Sequence, residues 1–229
     1  MSGESERSLI QPEIFESETE AFQAASDLLV DAISSSIAAK GACVLVLAGG
    51  NSTNSVMRFA FQSDINWSLV HLVLADERCV QHGHADRNDV ALKALVESVS
   101  PVNPPVIHGI PAELGPHLGA EKFAEQLAVI GQPDIALLGV ADDGHIASLF
   151  PNSTALSISG DAVSVTDSPK EPLERVSCSL AYLTRATYRI ALQTGHNKRV
   201  IFVRLQQGER LPLALFSPTH WFMDYNATR

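Results

Sequence analysis

A histidine that follows two acidic residues in a turn is the strongest candidate for chemistry in this chain. An apolar run over 135–138 ends in small residues and leads to Asp142, Asp143, Gly144 and His145. Such a run is typical of a buried strand, and open α/β sheets bind ligands beyond the carboxyl ends of their strands. Since imidazole titrates nearest neutral pH, His145 could take a proton from water while Asp143 orients its ring. The alternative is an ordinary turn whose histidine only caps a helix.

A second turn, rich in small residues, has groups suited to binding an anion. Gly49, Gly50, Asn51 and Ser52 stand between an apolar strand and a predicted helix. Helix N-termini present free N–H groups and a positive dipole, so a phosphate can bind there. The turn lacks the Gly-Lys-Ser/Thr ending of a P-loop. The alternative is a plain turn in which Ser52 or Thr53 is the N-cap.

Charged residues follow two other predicted strands. Asp76, Glu77 and Arg78 end the second apolar strand. A carboxylate there could take a proton or orient a hydroxyl, and the guanidinium could bind a phosphate or stabilise an oxyanion. The alternative is a solvated loop with internal ion pairs. Lys198 opens a later helix and would add an anion contact, unless it is an ordinary surface lysine.

The cysteines and loop histidines form no metal-binding pattern. The three cysteines show neither a paired framework nor a metal spacing, and nothing near Cys79 would act as its base. His82, His84 and Asp86 do not have a recognised zinc spacing. We therefore expect no metal and no cofactor.

Composition and charge limit the class of partner. Of 229 residues, 45% are hydrophobic and 18% charged, and the net charge is −10. No cluster of Lys and Arg is long enough to follow a nucleic-acid backbone, and no apolar run approaches the ~20 residues that span a membrane. An anionic substrate would have to be held by local basic groups or N–H donors. Without a signal-peptide pattern at the start, we expect a cytoplasmic protein.

Apolar strands alternate with helical segments through most of the chain. This pattern predicts a single α/β domain over 1–229, with an open, mostly parallel sheet, helices on both faces and a loosely ordered start at 1–16. The predicted helices are 18–39, one ending near 61, 88–99, 117–130 and 198–207, and the predicted buried strands are 44–47, 69–74 and the run before His145. Five prolines predict a loop over 100–116. Polar and apolar residues alternate over 176–180 and 188–193, which predicts C-terminal strands with one face more exposed to water.

Taken together, these motifs resemble the 6-phosphogluconolactonase family, which is related to the glucosamine-6-phosphate isomerase/deaminases. The resemblance runs from about residue 15 to the C-terminus. The segments that carry it are 47–52, 75–80, 86–88, 138–151, 174–177, 195–198, 211–212 and 221–224. After the histidine motif, residues 148–151 are Ser-Leu-Phe-Pro, as in the lactonases, where the deaminases have Phe-Asn-Glu-Pro.

The resemblance implies hydrolysis of 6-phospho-D-glucono-1,5-lactone to 6-phosphogluconate in the oxidative pentose phosphate pathway. The sequence leaves the oligomeric state open, as a monomer or small homo-oligomer. Its catalytic residues would be His145 as general base, Asp143, Arg78 and Asp76. Its phosphate-binding residues would be Gly49, Gly50, Asn51, Ser52, Arg175 and Lys198. Two alternatives stay open, namely an amino-sugar-phosphate isomerase or deaminase and a non-catalytic phosphosugar-binding protein.

Three positions depart from the pattern of the family it resembles. Asn51 replaces a serine in the phosphate turn, and Arg87 stands where the family has serine. Ala141 replaces the glycine that opens the histidine motif, and alanine disfavours a positive φ. These changes bear on substrate affinity more than on reaction type, because the predicted catalytic side chains are all present.

Overall fold

The structure is a computed structural model of the chain and describes residues 9–229. The helices are α1 Glu18–Lys40, α2 Asn51–Ala60, α3 Asn88–Val99, α4 Pro116–Ile130, α5 Leu180–Leu183, α6 Arg199–Gln206 and α7 Pro212–Phe216. The strands are β1 Glu13–Phe15, β2 Cys43–Leu47, β3 Val70–Leu74, β4 Asp76–Arg78, β5 Val106–His108, β6 Ile135–Gly139, β7 Ala162–Val165, β8 Arg175–Cys178, β9 Tyr188–Gln193 and β10 His220–Asp224.

Seven strands form one parallel sheet in the order β1-β10-β9-β6-β2-β3-β5. The apolar runs of β2 and β6 lie at its centre and are almost wholly buried, as continuous apolar strands of a parallel sheet are when both faces are covered. The predicted open, mostly parallel α/β sheet is therefore confirmed. Along the described chain, no helix combines the length and apolar character needed to cross a membrane.

The order of strands changes direction between β2 and β6. From β2 the chain passes outward through β3 to β5, then returns to β6 on the other side of β2 and continues to β9 and β10. The loops after β2 and β6 thus leave the sheet in opposite directions, which opens a crevice at their carboxyl ends. The glycine turn and the histidine motif follow these two strands, so the topology brings them together.

A second sheet, β4-β8-β7, is antiparallel and stands beyond the carboxyl end of β3. Only Ala75 separates β3 from β4, so the chain passes directly from one sheet into the other. Helix α4 packs over β7 and β8. The register places Arg78 opposite Arg175, and the charged segment 76–78 is therefore a strand rather than the solvated loop considered above.

The prediction that the C-terminal strands have one face in contact with water was wrong. Strand β8 is buried along its whole length, and β9 lies inside the parallel sheet between β6 and β10. Its polar Gln193 is fully buried; its amide nitrogen donates to the carbonyl of Lys198 over 3.0 Å, whereas its Oε1 has no partner among residues 9–229. Alternation of polar and apolar residues in these strands therefore does not mark a face exposed to water.

Two segments predicted to be irregular contain short strands. Of the start predicted to be loosely ordered, residues 1–8 lie outside the described residues, whereas Glu13–Phe15 pair with β10 as an edge strand. Within the proline-rich segment 100–116, Val106–His108 pair with β3 at the other edge. Proline can flank an edge strand, because an edge strand uses only one side of its backbone for pairing. The predicted helices 18–39, 88–99 and 117–130 are confirmed to within a residue.

Candidate active site

A cavity of about 210 Å³ lies at the reversal between β2 and β6. It is lined by the segment 48–53, by residues of the loop after β6 that include His145 and Ala147, and by Lys198 from the loop after β9. The predicted meeting of the glycine turn, the histidine and the lysine is thus found in the structure. These groups are 50 to 150 residues apart in the chain and share one wall only because their strands are neighbours in the sheet.

The turn before α2 leaves the helix N-terminus open toward this cavity. Gly50 is the N-cap, has a φ of +126°, and provides no side-chain cap. Thr53 does not cap the helix either, because its hydroxyl donates to the carbonyls of Ala48 and Gly50 over 2.8 and 3.0 Å. The first N–H groups of a helix have no acceptor within it. The cavity therefore ends in free donors and a positive dipole, which suit a phosphate.

His145 and Asp143 form a hydrogen-bonded pair on the cavity wall. The Nδ1 atom of His145 lies 2.5 Å from Oδ1 of Asp143, which also accepts from the backbone N–H of His145. Burial alone would raise the pKa of Asp143, but the hydrogen bonds and charge of His145 outweigh it and hold that pKa well below its usual range. The carboxylate stays ionised near neutral pH and keeps the imidazole in one orientation, with Nε2 free for a proton.

Lys198 enters the same cavity and is paired with an acid. Its ammonium group donates to Oδ1 of Asp142, which also accepts from Nδ2 of Asn197 over 2.8 Å. The lysine side chain is only 16% exposed. It is therefore a lining group of the cavity rather than the surface lysine considered above.

Asp76 is a link between three loops. Its Oδ2 accepts from the hydroxyl of Ser148 over 2.5 Å, and its Oδ1 lies 3.3 Å from Nδ2 of Asn88. Asn88 in turn packs against Gly49. A Cβ atom added to Gly49 would lie 2.1 Å from Oδ1 of Asn88. Asp76 is only 5% exposed and does not line the cavity. In this structure it holds the glycine turn and the histidine loop in register.

The two arginines of the predicted site lie beside the cavity rather than in its wall. Arg78 and Arg175 are opposite each other on β4 and β8. Arg175 is 5% exposed and donates to the carbonyls of Lys170 and Pro172 over 3.0 and 3.1 Å. Its guanidinium carbon lies 5.9 Å from the ring centre of Phe150, and that ring is 4.5 Å from the ring of His145. Arg175, predicted at the phosphate end, is thus held by backbone carbonyls and is not among the residues that line the cavity.

Arg78 retains a group that nothing in the described chain satisfies. One of its terminal nitrogens donates to the carbonyl of Asp86, whereas its Nε is buried without a hydrogen-bond partner among residues 9–229. A buried donor without an acceptor is costly. Arg78 therefore has an unmet donor, but that nitrogen is buried and the residue does not line the cavity.

Behind Arg78 lies a buried ionic cluster centred on Arg87. The Arg87 side chain is fully buried and donates to Asp89 over 2.8 Å, to Glu113 over 3.2 Å and to two backbone carbonyls. Glu77 is also fully buried, and burial raises its pKa even though it accepts N–H bonds at the start of α3. The cluster secures the loop from β4 to α3.

The remaining sequence candidates take no part in the cavity. His82 lies 3.0 Å from Glu113, and His84 contacts Asp86 in the same loop. Over residues 9–229, no group of three or more His, Cys, Asp or Glu side chains could hold a metal. Burial raises the pKa of the Cys79 thiol to about 11, so it carries no thiolate near neutral pH.

Sequence reasoning missed several residues that support the site. Ser148, Asn88 and Phe150 make contacts described above, and Ala147 lines the cavity with a φ of +48°, a strained value for alanine. A serine within the apolar segment 146–150 is a usable clue, because a buried hydroxyl needs a partner. Ala141, by contrast, is not among the residues with positive φ, so the departure from glycine there causes no backbone strain.

We expect Gly49→Ala to damage both stability and activity. The new methyl group would displace Asn88 and break its bonds to Asp76, which costs about 1–3 kcal/mol of unfolding free energy. The shifted turn would lower kcat/KM by up to about 100-fold. Urea unfolding measures the first effect, and steady-state kinetics measure the second. Gly160→Ala is the control, because its Cβ would meet no atom closer than 3.8 Å. Unchanged activity in Gly49→Ala would contradict this account of the turn.

The chain is similar in sequence and in structure to proteins of one known family. A family model described as glucosamine-6-phosphate isomerases/6-phosphogluconolactonase matches residues 16–224. The chain is 36% identical over 203 residues to a 6-phosphogluconolactonase of Mycobacterium tuberculosis, covering 81% of each protein. It is 32% identical over 205 residues to one of Neisseria meningitidis, covering 85% of this chain and 87% of that protein. A crystal structure of 6-phosphogluconolactonase from Thermotoga maritima, 21% identical, matches 93% of this chain and 100% of that one with a TM-score of 0.82, which shows the same fold.

Proposed function

Because the chain belongs to the glucosamine-6-phosphate isomerase/6-phosphogluconolactonase family, we propose that it hydrolyses 6-phospho-D-glucono-1,5-lactone to 6-phosphogluconate. One observation carries the proposal most directly. A hydrogen-bonded histidine–carboxylate pair shares a cavity with an uncapped helix N-terminus and a lysine. The cavity thus combines a proton acceptor with an anion site, as the hydrolysis of a phosphorylated lactone requires.

The phosphate binds at the glycine turn. The free N–H groups at the start of α2 and the ammonium of Lys198 together offer donors and positive charge at one end of the cavity. Local charge of this kind is needed, because the whole chain has a net charge of −10 and repels anions at long range. With the phosphate held there, the sugar ring extends toward His145.

His145 acts as the general base. Its Nδ1–H donates to Asp143, so the lone pair that accepts a proton is on Nε2. As Nε2 takes a proton from water, the water oxygen bonds to the lactone carbonyl carbon and the carbonyl oxygen becomes an oxyanion. The oxyanion then re-forms the carbonyl, the bond from carbon to the ring oxygen breaks, and the imidazolium returns its proton to that oxygen. The product acid loses its proton to solvent.

Arg78 and Asp76 support this reaction in different ways. Arg78 lies beside the cavity rather than in its wall, so its guanidinium supplies positive charge for the oxyanion from a distance. Asp76 has both oxygens engaged by Ser148 and Asn88, so its role is to position the loops rather than to move a proton. No covalent nucleophile is required, since a lactone opens in water unaided and a positioned base adds about 10²–10⁴ in rate.

The purified chain is expected to speed lactone hydrolysis well above the spontaneous rate. A general base in position predicts acceleration of about 100-fold or more, which can be followed by acid release in weak buffer or by NMR of freshly generated lactone. Glucosamine 6-phosphate should yield no ammonia. Ammonia release would favour the isomerase or deaminase function instead. If calorimetry showed binding of 6-phosphogluconate but the chain left the lifetime of the lactone unchanged, the protein would be a non-catalytic phosphosugar-binding protein.

A further inference from the structure

Two consecutive carboxylates in the turn after β6 each hold a different functional group of the cavity. Asp143 binds Nδ1 of His145, and Asp142 binds the ammonium of Lys198. The turn itself is closed by backbone hydrogen bonds, from Gly144 to the carbonyl of Ala141 and from Ala141 to the carbonyl of His145, each 3.0 Å long. The two carboxylates are therefore fixed relative to each other. The mechanism above uses Asp143 and leaves Asp142 without a role.

Lys198 is restrained at both its backbone and its side chain. The amide of the buried Gln193 donates to its carbonyl over 3.0 Å, and Asp142 accepts from its ammonium. Asn197 donates to the same oxygen of Asp142 over 2.8 Å, which steadies the carboxylate. Burial would raise the pKa of Asp142, but the hydrogen bond and charge of Lys198 outweigh it and lower that pKa. The carboxylate of Asp142 is thus ionised at neutral pH.

We propose that Asp142 is a positioning residue that holds Lys198 at the phosphate end of the cavity. Together with Asp143 it sets the separation between the phosphate-binding ammonium and the general base. The inference rests on the proposed function. Lysine has a long side chain with high rotamer entropy, which is lost whenever the side chain is immobilised by a ligand. A lysine already held by Asp142 has lost that entropy before the phosphate arrives, and two of its three N–H donors remain for phosphate oxygens.

The charge of Asp142 acts against phosphate binding, but more weakly than the gain in positioning. The Asp142 side chain is 54% exposed, so water and salt screen its repulsion of a phosphate. Lys198 is 16% exposed, so its own interaction with a phosphate in the cavity is screened less. Loss of Asp142 should therefore weaken phosphate binding rather than strengthen it.

The kinetic test compares a phosphorylated with an unphosphorylated lactone. We expect Asp142→Ala to raise KM for the 6-phospholactone about three- to tenfold, because phosphate binding would then have to immobilise the free Lys198 side chain. The value of kcat should change less than twofold. For D-glucono-1,5-lactone, which has no phosphate, kcat/KM should stay unchanged. Asp142→Glu retains the carboxylate and should restore most of the lost affinity. Asp161→Ala is the control, since its partner Arg185 lies outside the cavity.

A double variant identifies the group through which Asp142 acts. In a Lys198→Ala background, Asp142→Ala should add nothing to the rise in KM. Three outcomes would each overturn the proposal. They are an unchanged or lowered KM in Asp142→Ala, an additive rise of KM in the double variant, and an equal loss of kcat/KM with the unphosphorylated lactone. If the wild-type chain fails to hydrolyse lactone, the proposed function fails separately. Calorimetry with inorganic phosphate then tests the inference, and equal affinity of wild type and Asp142→Ala would overturn it.

Discussion

Replacing His145 with alanine is expected to remove most of the lactonase activity and leave the fold intact. The change deletes the only group in the proposed mechanism that accepts the proton of water, and general base catalysis contributes about 10²–10⁴ in rate. The His145 side chain is 13% exposed, and among residues 9–229 it hydrogen-bonds only to Asp143, two residues away. Its loss should therefore perturb kcat far more than KM or the unfolding transition.

The measurement is the rate of lactone opening above the spontaneous rate, in weak buffer that does not itself catalyse hydrolysis. His117→Ala is a matched control, because this histidine is exposed on α4 and outside the cavity. Asp143→Asn keeps the shape of the side chain but removes the charge that orients the imidazole, so we expect a smaller loss. Turnover near the wild-type value in His145→Ala would exclude His145 as the base.

Replacing Arg87 with methionine is expected to cause the largest loss of stability. The substitution leaves Glu77, Asp89 and Glu113 without the guanidinium that neutralises them, and it frees two backbone carbonyls. Removing one partner of a buried ion pair costs about 3–5 kcal/mol, because the charge left behind has lost its water as well as its partner. Urea unfolding followed by circular dichroism and by tryptophan fluorescence measures the change.

The pH dependence of this loss identifies its cause. Burial already raises the pKa of Glu77, and loss of the Arg87 charge raises it further above the value in the unfolded chain. Such a group lowers stability at neutral pH, and the loss shrinks as the pH falls and it becomes protonated. Arg87→Met should therefore be least destabilising at mildly acidic pH. Arg204→Met is the control, because Arg204 pairs with Glu209 at the surface and should change stability little at any pH. A constant difference across pH would contradict the electrostatic explanation.

The sequence alone determined the fold class and the main groups of the cavity. Continuous apolar runs such as β2 and β6 are typical of buried strands of a parallel sheet, and each ends in a turn with distinctive polar residues. His145, Asp143, the glycine turn and Lys198 follow strands that this topology places at one edge. Their meeting at one edge could be predicted because it depends on a local pattern together with a general rule of sheet geometry.

Only the tertiary structure decided which partner each polar side chain has. Asp76 binds Ser148, 72 residues away, and Asp142 binds Lys198, 56 residues away. Arg175 was expected at the phosphate but is held by nearby carbonyls, and Arg87 is the centre of a buried ionic cluster. A charged residue in a loop has the same local pattern whether it meets solvent, substrate or another charge. Its partner depends on how distant segments pack, and the spacing of residues along one chain does not contain that information.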